Sequence, residues 1–163
     1  MPDVVVDTNV PVVANGQTEQ AGAQCIEACI ERLLQIRSED VIIIDEAGLI
    51  FDEYQHLLAH SGQPGAGDAF FKWVWDNQSN PDHCRRVALT PIDPDPRQFE
   101  EFPDDPRLTT FDPSDRKFVA VSVAAGSDPV IVNASDTDWW NARDALRDNG
   151  IGVEFLCPEL MNA

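Results

Sequence analysis

A run of β-branched residues, Val4-Val5-Val6, breaks abruptly into Asp7-Thr8-Asn9, the pattern of a buried strand that delivers a carboxylate at its carboxyl end. The pattern recurs. Asp45 and Glu46 follow Val41-Ile42-Ile43-Ile44, and Glu53 lies one to two turns into the helix that comes next. Asp112 and Asp115 stand at the start of a later helix, and Asp136 and Asp138 follow Val130-Ile131-Val132. In an open parallel α/β sheet the carboxyl ends of the strands share one edge, where loops and helix N-termini gather and ligands bind. Acids from four separate segments therefore converge on that edge. Carboxylates so gathered repel one another and raise each other's pKa unless a cation neutralises them. Oxygen ligands without His or Cys suit Mg²⁺ or Mn²⁺, and Mg²⁺ keeps waters that phosphate oxygens can replace. With one or two ions, such a site activates water and stabilises in-line displacement at a phosphodiester.

Taken singly, each acid has a plainer explanation. Asp115 and Asp138 occupy positions where a helix N-cap belongs. Asp45 or Asp136 alone can punctuate a loop. Asp7 is harder to explain away, because a carboxylate at the mouth of a buried apolar strand is costly unless paired or liganded.

The elements that would carry these acids alternate. After a turn at Asn15-Gly16, residues 18–37 place Ala21, Cys25, Ala28, Cys29, Leu33 and Ile36 at helical spacing. A strand at 41–44 and a helix over 45–60 follow, then a Gly- and Pro-rich loop and an aromatic helix over 68–77. A short edge strand is expected at 86–89. Five prolines between Pro91 and Asp112 exclude a long regular element there, leaving a surface excursion with one helical turn near 98–101. The pattern then resumes with a helix over 113–125, a strand at 130–132, a helix over 138–148 and a strand at 153–156. Strand and helix in alternation predict an α/β fold whose parallel sheet is covered on both faces.

At 163 residues and 43% hydrophobic content, the chain has the size and composition of one globular domain. It carries no apolar run near the roughly 20 residues that span a membrane and no signal-type start, so a cytoplasmic protein without a membrane partner is expected. Cys25, Cys29, Cys84 and Cys157 show neither a C-x-x-C pair nor a zinc-finger spacing and read as reduced, buried thiols. The 29 acidic residues against 11 basic give a formal net charge of −18. That charge argues against tight, metal-free, nonspecific binding to a polyanion. Divalent ions bridging protein and phosphate would remove the conflict. Arg85, Arg86, Arg116, Lys117, Arg143 and Arg147 are the cations expected to form positive patches beside the site.

The segment Val4-Val5-Val6-Asp7-Thr8-Asn9-Val10 resembles the opening strand and Asp-Thr-Asn signature of the PIN-domain family of metal-dependent nucleases. Phe111-Asp112-Pro113-Ser114-Asp115-Arg116-Lys117-Phe118 resembles that family's third acidic motif, and Asp136-Thr137-Asp138-Trp139 its fourth. The likeness extends over the whole chain, with the stretch around 61–112 enlarged. It implies a three-layer α/β/α sandwich around a mainly parallel sheet, and an endoribonuclease that cuts single-stranded RNA with Mg²⁺ or Mn²⁺. Carried over by motif, Asp7, Glu53, Asp115 and Asp136 are the catalytic acids and, with Asp138, the metal ligands, while Thr8, Asn9 and Ser135 support them. Glu53, followed by Tyr54 and Leu57-Leu58, fits the second acidic position. Asp45, Glu46 and Asp52 are its alternatives, and Asp112 stands beside Asp115. Many relatives are toxins of toxin-antitoxin pairs, so the resemblance also implies an antitoxin or other basic protein partner and a homodimer. A different reading is a noncatalytic acidic interaction module on the same scaffold. A phosphatase-like hydrolase ranks last, because Asn9 breaks the Asp-x-Asp pair it would need.

Overall fold

The computed structural model describes residues 1–17 and 21–161. Its centre is a five-stranded parallel sheet of order β3-β2-β1-β6-β7. The strands are β1 (Asp3–Val6), β2 (Val41–Asp45), β3 (Cys84–Val87), β6 (Val130–Asn133) and β7 (Val153–Phe155), with β4 (Pro91–Ile92) and β5 (Asp95–Phe99) forming a separate antiparallel hairpin. Val4, Val5 and Val6 are fully buried and register against Val130, Ile131 and Val132, while Val4 also faces Ile42. Strands that are apolar on both faces need cover on both. Helices supply it on either side, giving the expected three-layer sandwich.

Among the described residues seven α-helices make that cover: α1 (Asn9–Ala14), α2 (Gly22–Glu39), α3 (Leu49–Leu57), α4 (Ala66–Asn77), α5 (Arg116–Ala125), α6 (Thr137–Asn141) and α7 (Arg143–Asp148). In α2, Cys25, Cys29, Leu33 and Ile36 form one buried stripe. The helix ends at Asp40, whose buried carboxylate pairs with Arg32 at 3.0 Å; Arg32 also reaches Glu154 on β7 at 2.9 Å. The N-terminus expected at residue 18 lies outside the described residues. Helix α5 crosses β1, β2, β3 and β6 and buries Phe118, Val119, Ala120 and Val121. Gly67 allows α4 to press against α1, since a Cβ there would sit 1.9 Å from the Pro11 carbonyl oxygen. Phe70, Phe71 and Val74 of α4 enter the core, leaving Trp75 on its exposed side. No helix among the described residues is long and apolar enough to cross a membrane.

Four expectations need correction. The helix after β2 starts at Leu49 rather than at Asp45, because Gly48 stands before it at φ +84° and the Asp45 carboxylate accepts from Leu49 N and Ile50 N. The turn expected near 98–101 starts later, since β5 runs to Phe99 and pairs with β4, and residues 100 and 101 turn with Phe102 N donating to the Phe99 carbonyl at 3.1 Å. The last helix is broken at Ala142 into α6 and α7. Most consequential, Cys25 and Cys157 form a disulfide across 132 residues, leaving Cys29 and Cys84 as buried free thiols. Spacing rules read neighbours along the chain, and this pair meets only because the segment after β7 returns to α2.

Candidate metal centre

Strand order reverses between β1 and β6, so the chain leaves these two adjacent strands in opposite directions and a crevice opens at their carboxyl ends. Asp7 occupies that point, its N–H donating to the Val132 carbonyl at 3.0 Å. The residue is only 3% exposed. Asp7 Oδ2 accepts from Asn9 N at 3.4 Å and from Asn133 Nδ2 at 3.3 Å, whereas its buried Oδ1 has no partner among the described residues. Burial pushes the Asp7 carboxyl far above the usual range, and the charges of Asp115, Glu53 and Asp136 push it further; the Asn9 N–H works weakly against them. Three acids carried in by three other segments thus act on one buried carboxylate.

Each of them is positioned by its own local structure. Glu53, on α3, is held by the Thr8 hydroxyl donating to Oε2 and by Lys117 Nζ at 2.8 Å from Oε1. The neighbouring Tyr54 hydroxyl anchors the same helix to β1 through the Val6 carbonyl at 2.5 Å. Asp115 closes a 3₁₀ turn (Pro113–Asp115) and leads into α5 without making a side-chain cap bond. Burial raises its carboxyl to about 7, helped by the charges of Asp136, Asp112 and Glu53, while Lys117 opposes the rise. Asp136 caps α6 by accepting from Asp138 N at 2.8 Å, and burial again leads the causes that raise it.

The remaining residues divide into those that support this group and those that stand apart from it. Asn9 bridges to Asn133 Oδ1 at 3.3 Å and accepts from Ala134 N at 3.1 Å. Asn133, fully buried at the end of β6, is the residue that sequence reasoning missed. It joins Asp7, Asn9 and, through an acceptor bond to Asp136 N at 3.0 Å, the Asp136 loop. A polar residue ending an apolar strand was the available signal, as at Asp7. Asp112 caps the 3₁₀ turn through Ser114, and its charge helps raise the Asp115 carboxyl. Ser135 is half-buried and makes no side-chain hydrogen bond among the described residues. Asp138 is exposed and lines a separate recess with Arg107, Thr110 and Phe111. Glu46 and Asp52 are exposed, and neither is among the charges acting on Asp7, Asp115 or Asp136.

The expected positive patches do not collect here. Buried Arg116 spends its guanidinium on the Thr109 and Phe111 carbonyls, Arg85 reaches Asp3 at the opposite end of β1, and Arg143 stacks on Trp140. Lys117 is the cation paired into the acidic group.

No protein-family model, curated protein or solved structure matches this chain.

The donor set fits a hard divalent cation. It consists of carboxylates from four segments, one of them with a buried oxygen that lacks a partner, and an unsatisfied buried acceptor is expensive to keep. Among the described residues no three carboxylates bring ligand oxygens all within 4.8 Å of one another.

A pH dependence follows from the raised carboxyls. Since Asp7, Asp115 and Asp136 hold protons more tightly folded than unfolded, they stabilise the fold below the ordinary carboxylate range near 4; the Asp115 contribution is lost as pH rises through about 7, and those of Asp7 and Asp136 as pH rises through their own raised values. In chelator, the melting temperature is expected to fall between pH 5 and pH 8, and saturating Mn²⁺ should remove most of that slope. An identical slope with and without Mn²⁺ would show that no cation neutralises the group.

Proposed function

We propose that this chain is a PIN-like endoribonuclease that hydrolyses phosphodiester bonds of single-stranded RNA with Mg²⁺ or Mn²⁺. The observation that carries the reading is Asp7: a buried carboxylate with an unpartnered oxygen at the sheet's switch point, under the charge of Glu53, Asp115 and Asp136. Those four side chains would hold the cation, which when bound would supply an activated water and counter-charge for a phosphate. Asn133 and Asn9 fix the Asp7 oxygen that accepts their hydrogen bonds and leave the other oxygen free to ligate. Thr8 and Lys117 orient Glu53, and the capping bond to Asp138 N orients Asp136. Asp138, by its exposure, is proposed as a neighbour of the site rather than a direct ligand. The cytoplasmic setting, an antitoxin or other basic partner, and a homodimer belong to the same proposal through the sequence resemblance.

A second reading, the noncatalytic acidic interaction module, is favoured by the way the cations are used. Arg32, Arg85, Arg97, Arg107 and Arg147 are all paired with carboxylates, so little positive charge is left for a polyanion. Cleavage of a labelled single-stranded RNA in Mn²⁺, Mg²⁺ and EDTA separates the two. Metal-dependent cutting that stops in EDTA supports the nuclease. No cutting, together with no Mn²⁺-dependent rise in melting temperature, supports the module.

A further inference from the structure

We infer that the cleft between the β4–β5 hairpin and the N-termini of α3 and α5 is a nucleotide subsite that seats one base of the substrate strand beside the carboxylate group. The inference rests on the nuclease reading and extends it to substrate recognition. The cleft encloses about 220 Å³ and is walled by Leu49, Pro96, Phe99 and Pro113, with Arg97 and Lys117 as its charged members. Ligand pockets for drug-sized molecules run roughly 300–1,000 Å³, so this one suits a smaller planar group such as a single nucleobase.

Continuity with the acidic site is direct. Lys117 lines the cleft and is also the ammonium paired with Glu53 at 2.8 Å. A base seated over Leu49 and the prolines, with the mostly buried Phe99 ring at the cleft floor, would have Lys117 at hand for its phosphate. Charge is consistent with this: in a chain with 29 acidic and 11 basic residues, both ionic groups lining this cleft are cations, although each is also paired with a carboxylate, Arg97 with Asp95 and Lys117 with Glu53. Arg97 is presented by its own hairpin, with Nε and Nη2 bonded to Asp95 at 3.2 and 3.3 Å, which leaves Nη1 to meet a phosphate oxygen. A roomier recess of about 360 Å³ elsewhere on the hairpin is lined by Glu100, Asp104 and Asp105, which repel phosphate. Apolar walls that take a base face, joined to cations that take the backbone, are the combination used for single-stranded nucleic acid. Such a subsite tolerates many sequences, because it reads the face of the base rather than its hydrogen-bonding edge.

Amide chemical shifts of the full chain, titrated in Mg²⁺ with adenosine 5′-monophosphate and separately with inorganic phosphate, test the subsite without requiring cleavage. The nucleotide is expected to move Leu49, Arg97 and Phe99, whereas phosphate alone moves Lys117 but not Leu49 or Phe99. Arg97→Ala should weaken the nucleotide by about tenfold, the loss of one charge-assisted hydrogen bond. Absence of nucleotide shifts at Leu49 and Phe99, or identical shifts with phosphate, would overturn the inference. A chain that cuts RNA but shows no cleft shifts loses the subsite and keeps the nuclease reading. One that binds the nucleotide but never cuts does the reverse.

Discussion

Asp7→Asn is expected to abolish Mn²⁺-dependent RNA cleavage and, in the same preparation, to raise the melting temperature in chelator at pH 8. The two effects have one cause. Asp7 Oδ2 already accepts from Asn9 N and Asn133 Nδ2, and an asparagine carbonyl accepts the same bonds. The new amide then replaces the buried Oδ1 that has no partner among the described residues, and it removes the acid on which the charges of Asp115, Glu53 and Asp136 act. Relieving one unsatisfied buried acceptor is worth about 1–3 kcal/mol. In a chain of this size each kcal/mol moves the melting temperature by about 2–4 °C, so the gain is several degrees.

Metal-dependent behaviour should change in the opposite sense. A ligand bound only by the folded state at 100 times its Kd adds about 2.7 kcal/mol to wild-type stability, and the variant should lose that increment. Disturbing groups that merely orient metal ligands costs about 10–100-fold in activity or affinity, so losing a ligand should cost at least about 100-fold. A variant melting lower than wild type in chelator would mean that Asp7 is held by contacts other than those described. Full cleavage by the variant would remove Asp7 from the chemistry altogether.

How much of this site the sequence disclosed can be followed residue by residue. Val4-Val5-Val6 and Val130-Ile131-Val132 are apolar on both faces, which demands central parallel strands, and the alternation of helices and strands then sends their carboxyl ends to one edge. Asp7 and Asp136 were legible because each closely follows such a strand, whereas Glu53, inside α3, and Asp115, before α5, were singled out by the motifs of the resemblance. Asn133 was not, because its role depends on β6 lying next to β1, a pairing between residues more than a hundred positions apart. Glu46 and Asp138 carry the same local signature as the site acids yet are exposed. Helix rotation and capping decide that, and they are properties of the folded turn rather than of spacing. The β4–β5 hairpin escaped detection for a related reason: five prolines forbid a long element, but a two-residue strand paired with a five-residue one needs few ladder bonds.

The disulfide sets the largest expected stability effect. Cys157→Ala is expected to lower the melting temperature by on the order of 10 °C, and reduction of the wild-type chain should approach the same value. Closing a loop of 132 residues removes unfolded-state entropy worth about 4–5 kcal/mol in the chain-entropy account, and losing a native disulfide typically costs about 2–5 kcal/mol. Cys25→Ala should cost less after oxidative refolding. The sulfurs of Cys25, Cys29 and Cys157 all lie within 4.8 Å of one another, and Cys29 sits one turn along the same buried face of α2, so it can take over the partner that Cys25 leaves. Burial pushes the Cys29 thiol up to about 12, which keeps it from attacking the native pair while the fold is intact. The exchange therefore belongs to refolding, and adding the variant Cys29→Ala to Cys25→Ala should bring the loss to that of Cys157→Ala. Coincident melting of oxidised and reduced wild type would show that the pair contributes nothing. The bond also bears on the candidate site, because Leu156 N and Cys157 N donate to the carbonyls of Asn133 and Ala134 at 2.9 and 3.0 Å. The staple that ties Cys157 to α2 thus holds in place the strand end that carries the side chain supporting Asp7.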